Sequence, residues 1–167
     1  RHLGEDFSPG ALTLGRLEGI SRPALAAYFP NAAGQGTVVL DVGANADVKP
    51  AYLVQFAHMG ACYARYMYGR ENPRVGLLSI GEEESKGNAL VQETLPLLKA
   101  ARHLNFVGNV EGRDLFKSTA DVVVTDGFTG NVVLKTAESA ATFLLGQIRS
   151  EVKRDPLALV GALFMQP

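Results

Sequence analysis

Four short segments of the sequence combine glycine with asparagine and acidic residues, a composition suited to holding a small anion. They are residues 41–47, 81–88, 108–114 and 126–131. Glycine lets backbone N–H groups approach a ligand closely, and the first turn of a helix offers unpaired N–H donors with a favourable dipole. Because several such segments occur in one chain, the sequence predicts a site for phosphate or another small anion.

Two side chains in these segments are suited to act on a reacting oxygen. Lys86 adds a positive charge at a predicted helix start, where the helix dipole alone would favour an acidic residue. That position makes sense if the ammonium group holds an anion or a developing oxyanion. Asn131 lies at the corresponding point of another predicted helix, and its amide can donate to an oxygen.

Structural explanations compete with these interpretations. Residues 82–84 are three consecutive glutamates, which are typical of a solvated turn rather than of an acid catalyst. Arg113 and Asp114 can pair with each other across a surface loop, and Asp41 can cap a backbone turn. The apolar neighbours of Cys62, the single cysteine, predict a buried side chain without a catalytic role. The histidines have no partner at suggestive spacing and are read as structural or exposed.

Composition excludes several classes of function. The chain has 167 residues, of which 47% are apolar and 20% charged, and its net charge of -1 gives no electrostatic footprint for nucleic acid. One cysteine cannot form an internal disulfide, and no His/Cys set has metal spacing. The sequence also lacks the phosphate-binding loop of nucleoside triphosphatases, the dinucleotide glycine motif and the serine-hydrolase elbow.

The elements that position the four segments are a mostly parallel sheet and its helices. Short apolar runs rich in β-branched residues alternate with helical patterns, which predicts strands covered on both faces. The predicted strands are residues 37–42, 74–80, 104–108 and 121–125; the predicted helices are residues 11–17, 85–102, 130–153 and one that begins at Pro50 and ends at Gly69, with a helical turn at 113–116. Pro96 is expected to kink or divide its helix, and residues 29–36 are expected to form a loop. The segments then follow the carboxyl ends of the strands, where parallel sheets bind ligands.

The order and spacing of longer stretches carry a resemblance to a known family. These stretches are residues 19–25, 40–47, 53–57, 72–78, 80–88, 108–114 and 121–135. Over about residues 19–140 the chain resembles the phosphate acyltransferase family of bacterial phospholipid synthesis. It departs from the family pattern at residues 8–12, where an Asn-Thr-Gly element is missing, and at Ser79, which replaces an asparagine.

The resemblance implies an α/β/α sandwich with a mostly parallel sheet, as in phosphotransacetylases and isopropylmalate dehydrogenase. It implies a cytoplasmic homodimer that converts acyl-[acyl-carrier-protein] and inorganic phosphate to acyl phosphate and free carrier protein, with no metal and no other cofactor. Lys86 and Asn131 take the positions of the proposed catalytic residues. We expect substrate and phosphate to be bound by Asn45, Asn88, Asn109, Glu111, Arg113, Asp126, Thr129 and Gly130.

Domain organisation and function leave alternatives open. We expect residues 1–167 to form one α/β domain, the central part of a longer family chain. Residues 155–167 are apolar and predicted to be helical; they can pack in a buried or dimer contact or insert into a membrane surface. Two rival functions share the fold: a phosphotransacetylase-type transferase that uses short acyl-coenzyme A thioesters, and an inactive module that binds carrier protein.

Overall fold

Strands and helices alternate along residues 19–154, which the computed structural model describes. The elements are β1 (Ala26–Phe29), β2 (Thr37–Leu40), α1 (Pro50–Tyr68), β3 (Arg74–Leu78), α2 (Ala89–Ala100), β4 (Asn105–Val110), a 3₁₀ helix (Gly112–Phe116), β5 (Val122–Val124) and α3 (Gly127–Arg154). The predicted helix at 11–17 and the apolar segment 155–167 lie outside the described residues. The chain divides into two compact units, residues 1–133 and 134–167.

Within the described residues 19–154 the strands form one five-stranded sheet in the order β1-β2-β5-β3-β4. β2, β5, β3 and β4 are parallel neighbours, and β1 pairs antiparallel with β2 at the edge. The predicted mostly parallel sheet is therefore confirmed. The sequence does not predict β1, because this strand is short, begins with two alanines and is largely exposed. Phe29, assigned to a loop, is its last residue.

Helix α1 begins and ends where the sequence predicts. Pro50 occupies the first helical position, and Gly69 follows the last turn with a left-handed φ of 65°. The N–H of Gly69 donates to the carbonyl of Arg65 at 3.1 Å, which satisfies one of the free carbonyls at the helix end. A side chain at Gly60 would approach Val122 to 2.5 Å, so this glycine allows α1 to lie close to the sheet.

Helix α2 is shorter at its start than predicted and continuous through its proline. It begins at Ala89, and the Oδ1 of Asn88 caps it by accepting from the N–H of Val91 at 3.0 Å. Pro96 does not divide the helix. Proline has no N–H group to donate to the carbonyl of Gln92, one turn earlier in the helix. Because Pro96 and Gln92 are both exposed, water can reach this carbonyl instead.

Both faces of the sheet are buried, as uniformly apolar strands predict. Alternate strand residues pack with α1 and α2 in one core cluster that includes Val38, Leu77 and Val124. Val39 and Val123, whose side chains point to the opposite face, are 0% and 1% exposed. The carboxyl ends of the central strands are thereby held in fixed positions, and the candidate functional segments follow them.

An ion cluster joins the amino ends of β3 and β5. Asp121 accepts from the backbone N–H of Arg74 at 2.8 Å and from its Nε at 3.1 Å, and Arg70 donates to the same carboxylate at 3.1 Å. Burial by itself raises the pKa of Asp121, but the hydrogen bonds of Arg74 and the charges of both arginines outweigh it. The net pKa of this carboxyl therefore lies below its ordinary value.

The Asp121 cluster should make stability depend on pH in the acid range. A lowered folded-state pKa contributes stability that is fully present above the unfolded-state pKa of about 3.9 and is lost as the pH falls through the folded-state pKa. We expect Asp121→Asn to be less stable than the wild type at pH 7, with a difference that shrinks below about pH 3.9. Urea unfolding at a series of pH values measures this. Arg74→Gln should behave similarly, and a difference that stays constant down to about pH 2 would contradict the assignment.

Candidate functional site

A cavity of about 470 Å³ lies at the carboxyl ends of β3 and β5. This volume is within the range of about 300–1,000 Å³ that is usual for small-molecule pockets. Its wall is mostly apolar and is formed by Leu53, Leu77, Leu78, Ile80, Leu90, Val91 and Val133, with Gly87 and Gly112; its polar side chains are Ser79, Asn88, Thr125, Asp126 and Thr129. The cavity can therefore accept a ligand with an apolar body and a polar group.

Asp41 organises the segment that follows β2. Its carboxylate is fully buried and accepts five hydrogen bonds. Oδ1 accepts from the backbone N–H groups of Leu25, Gly43 and Ala44 at 2.9 to 3.1 Å, and Oδ2 accepts from the backbone N–H and the side-chain amide of Asn45, both at 2.7 Å. The prediction that Asp41 caps a backbone turn is confirmed.

Asn45 is tied into the same turn. Its side-chain amide donates to the Pro23 carbonyl at 2.8 Å and to Asp41 at 2.7 Å, so both amide hydrogens are used within the fold. Its backbone carbonyl accepts from the N–H of Gly127 at 2.7 Å. We infer that Asn45 holds three segments of the chain together rather than donating to a bound phosphate.

The start of α3 lies against this turn. The helix begins at Gly127, three residues before the predicted boundary, and Asp126 caps it by accepting from the backbone N–H and the hydroxyl of Thr129, both at 2.8 Å. Asn131 is therefore the fifth helical residue and not a helix-start residue. It is exposed and next to Gly43, where an added Cβ would lie 3.7 Å from its Oδ1.

Two glycines allow the close contact between α3 and the Asp41 turn. A Cβ at Gly127 would lie 2.6 Å from the Asn45 carbonyl oxygen, and a Cβ at Gly130 would overlap the Asp41 carbonyl oxygen. Both glycines are buried. Gly130 was predicted to bind phosphate, and its contact with Asp41 gives it a packing role as well.

Gly130→Ala should destabilise the protein because the added methyl group collides with backbone that cannot move aside. We expect the free energy of unfolding to fall by about 3 kcal/mol. Gly146→Ala in the same helix is the matched control, since a Cβ there meets nothing within 4 Å. That variant should gain about 0.5–1 kcal/mol from the better helix propensity of alanine. Chemical denaturation of both variants is the measurement, and equal stabilities would refute the packing role.

Lys86 lies in the loop between β3 and α2 and not at a helix start. Its Cβ and Cγ lie beside Gly81, and the loop is fastened by Gln92, whose side chain donates to the carbonyls of Glu84 and Lys86 at 3.1 and 2.8 Å. Within residues 19–154 the ammonium group has no ion pair, and the residue is exposed. Its neighbour Gly87 is part of the cavity wall. The backbone of Lys86 thus adjoins the cavity wall, although Lys86 is not itself a lining residue.

Asn109, near the end of β4, and Arg113, in the 3₁₀ helix, both bond residues of that loop. Asn109 is 7% exposed and donates to the Glu83 carbonyl at 3.1 Å; it lines a second, more polar cavity of about 540 Å³. Arg113 is exposed and bonds Glu82 at 3.4 Å and Glu111 at 3.1 Å. The pairing of Arg113 with Asp114 that the sequence allowed is not found.

Asp114 instead accepts from Lys117 at 3.3 Å and from the backbone N–H of Glu111 at 2.9 Å. Burial by itself raises the pKa of Asp114. The backbone hydrogen bond from Glu111 and the positive charges of Lys117 and Arg113 lower it by more, so the pKa of this carboxyl lies below its ordinary value. These bonds fix the 3₁₀ helix. Arg113 bonds both Glu111 and Glu82, and neither Arg113 nor Glu111 lines the first cavity.

The structure brings some of the predicted residues together and separates others. Asn88, Asp126 and Thr129 line the first cavity, and Lys86 precedes the wall residue Gly87 in sequence. Asn109 belongs to the second cavity. The sequence did not identify the apolar wall as part of a site, because leucine and valine at strand and helix positions also indicate an ordinary core. Ser79, which departs from the family pattern, also lines the cavity.

Among residues 19–154 no group of three or more His, Cys, Asp or Glu side chains could hold a metal ion. None of the helices in that same part of the chain is long and apolar enough to cross a membrane. Cys62 is exposed, in contrast to the prediction, because it lies on the face of α1 that points away from the buried residues Gly60 and Ala64.

The fold of this chain is shared with solved phosphotransacetylases. One from Streptococcus pyogenes superimposes with a TM-score of 0.63 at 17% identity, over 84% of this chain and 49% of that one. The EutD phosphotransacetylase from Staphylococcus aureus gives a TM-score of 0.61 at 16% identity, over 80% of this chain and 47% of that one. Similarity at this level establishes the α/β fold.

The sequence then gives the family. The family model described as "Fatty acid synthesis protein" matches residues 5–167, and the chain belongs to that family. The phosphate acyltransferase of Aquifex aeolicus is 52% identical over 166 residues, which are 99% of this chain and 49% of that protein. The phosphate acyltransferase of Thermus thermophilus is 55% identical over 165 residues, 99% of this chain and 50% of the relative. The resemblance seen in the motifs is confirmed, and the chain spans about half the length of these curated relatives.

Proposed function

We propose that the protein containing this chain transfers an acyl group from an acyl-carrier-protein thioester to inorganic phosphate. The observation that carries the proposal is the cavity at the ends of β3 and β5, which has an apolar wall and polar groups from the Lys86 loop and the start of α3. Relatives at 52% and 55% identity are named phosphate acyltransferase, and this supports the same assignment.

In the proposed reaction a phosphate oxygen attacks the thioester carbonyl carbon. The carbonyl oxygen becomes an oxyanion, and its collapse re-forms the carbonyl and breaks the carbon–sulfur bond. The carrier leaves as a thiolate and takes up the proton that hydrogen phosphate loses, so that acyl phosphate and free thiol result. Holding phosphate beside the carbonyl removes much of the entropic barrier, and fixed donors stabilise the oxyanion.

Lys86 is the proposed source of positive charge, because it is exposed, has no ion pair within residues 19–154 and directly precedes the wall residue Gly87. Asn131 is proposed to orient an oxygen from its position next to Gly43. Asn88 accepts from Val91 through Oδ1. Its amide hydrogens have no bond within the described range and can therefore donate to phosphate.

The remaining predicted residues take supporting parts in the proposal. Asp126 and Thr129 bond each other at the start of α3 and both line the cavity, so we propose that they fix its edge there. Arg113 would bind phosphate only after leaving Glu82 and Glu111. Asn109 and Glu111 are proposed to support the Lys86 loop and the 3₁₀ helix, since their bonds are made there.

Carrier protein, a second copy of the chain and a membrane surface are the proposed partners of a cytoplasmic enzyme. In the unit beginning at Leu134, α3 exposes Phe143, Leu144, Leu145 and Ile148, each by more than half. Exposed apolar residues at this density mark contact surfaces, and we propose that they contribute to a homodimer. The apolar sequence of residues 155–167 favours peripheral membrane contact, which vesicle sedimentation with and without that segment can test.

The reaction is tested by release of carrier thiol from hexadecanoyl-carrier protein, with and without phosphate, on the full-length protein. Phosphate-dependent release together with an acyl phosphate product is the expected result. Cleavage of acetyl-coenzyme A in place of the carrier substrate would move the assignment to a small-acyl phosphotransacetylase. Absence of release from either thioester would leave the carrier-binding module as the better description.

A further inference from the structure

Some residues that line the first cavity are fully buried, and others are exposed to solvent. Leu53 of α1 and Leu77 of β3 are 1% and 0% exposed, and both also belong to the main core. Ile80 is 82% exposed, and Asn88 and Gly112 are exposed as well. Leu53 and Leu77 therefore close the inner end of the cavity, and the exposed residues surround its mouth.

Two of the groups proposed to act on the substrates belong to the segment that forms the mouth. Asn88 is a mouth residue, and Lys86 precedes the wall residue Gly87 in the same loop. An acyl thioester whose carbonyl lies near these groups can bury its chain only toward Leu53 and Leu77. The inner end is apolar, as an alkyl chain requires.

We infer that Leu53, together with Leu77, determines the longest acyl chain that the enzyme accepts. The inference rests on the proposed function, and it adds a specificity-determining residue to it. A chain that is longer than the cavity must leave methylene groups in water or displace buried core side chains. In apolar pockets one methylene changes kcat/KM by about 10–200-fold, so a closed inner end should give a sharp length limit.

Leu53→Ala should move the length limit toward longer chains. The measurement is kcat/KM of the full-length protein for dodecanoyl, tetradecanoyl, hexadecanoyl and octadecanoyl carrier protein, expressed as ratios between chain lengths. Ratios are insensitive to the fraction of enzyme that is folded. We expect the ratio for the longest accepted chain and its next longer homologue to shift by about tenfold in favour of the longer one.

Leu98→Ala is the matched control. Leu98 is 0% exposed and belongs to the same core cluster, but it does not line the cavity. Its truncation should lower stability to a similar extent as Leu53→Ala and leave the length ratios unchanged. Equal shifts in the two variants would overturn the inference, because a general loosening of the core would then explain both.

Val133→Phe is a second variant that leaves the inner core intact. Val133 lines the cavity and is only half-buried, so a larger side chain there fills cavity volume without overpacking the sheet. We expect the length limit to move toward shorter chains, opposite in direction to Leu53→Ala. Unchanged ratios in both variants, with phosphate-dependent release intact, would overturn the inference and leave the proposed function standing. No release by the wild type with any chain length would overturn the function itself.

Discussion

Lys86→Ala should lower phosphate-dependent thiol release by about 10²–10³-fold, the usual cost of removing a group that stabilises developing negative charge. The folded protein should be affected very little. Lys86 is exposed and has no ion pair within residues 19–154, and its loop is fastened through backbone carbonyls that alanine retains. We therefore expect the free energy of unfolding to change by less than about 0.5 kcal/mol. Steady-state kinetics and chemical denaturation on the same preparation give both numbers.

Two further variants distinguish charge from position. Lys86→Arg keeps the positive charge but replaces a compact ammonium by a planar guanidinium, so it should recover only part of the lost rate. Lys153→Ala removes an exposed lysine near the end of α3 and should leave turnover unchanged. If the Lys86→Ala protein unfolds, or if it turns over as fast as Lys153→Ala, the proposed role of Lys86 is wrong.

Asp41→Ala should be the most destabilising single substitution considered for the site. The change leaves five donors without an acceptor: the backbone N–H groups of residues 25, 43, 44 and 45, and the amide of Asn45. Each buried donor that is left unpaired costs about 1–3 kcal/mol of stability. The total is smaller than the sum, because the loop can rearrange so that some of these donors bond water. We expect a total loss of about 3–5 kcal/mol in the free energy of unfolding, together with loss of activity.

Asp47→Ala is the control for this prediction, because Asp47 is exposed and lies in the same segment. It should change stability by no more than about 0.5 kcal/mol. The stability loss of Asp41→Asn should lie between those of Asp41→Ala and Asp47→Ala. One acceptor oxygen remains in that variant, but the new amide hydrogens face backbone donors. Denaturant unfolding of all three variants measures the series. A loss below about 1 kcal/mol for Asp41→Ala would mean that the turn does not depend on this carboxylate.

Central strands and the first helix were predictable because their signals are local. β-branched apolar runs produced β2, β3 and β5, while Pro50 and Gly69 marked both ends of α1. The start of α2 was not predictable in the same way. Residues 82–86 have helix-forming composition, but Gly87 adopts a φ of 108°, which a helical residue cannot adopt, and the helix starts only after Asn88. Lys86 consequently lies in a loop.

The site was predicted in outline and not in its contacts. Loops at strand ends follow from the parallel sheet, so the neighbourhood of Lys86, Asn88 and Thr129 could be expected. The internal role of Asn45 could not, because its partners Pro23 and Gly127 are far from it along the chain. The apolar wall was missed for a related reason: Leu53 lines a cavity and belongs to the core at the same time.

The strand order has a consequence for how the chain is made. β5 is the last of the five strands in sequence, yet it lies between β2 and β3 and is bonded to both. Until residue 124 has been synthesised, β1–β2 and β3–β4 can form only as two separate pairs, each with an open edge that the other cannot close. Ribosomes add about 5–20 residues per second, so a nascent chain passes through seconds of exposed strand edges of a kind that chaperones protect. The fold becomes continuous only when Val122–Val124 enters the gap, and the same step positions Asp126 and the start of α3 beside the Asp41 turn.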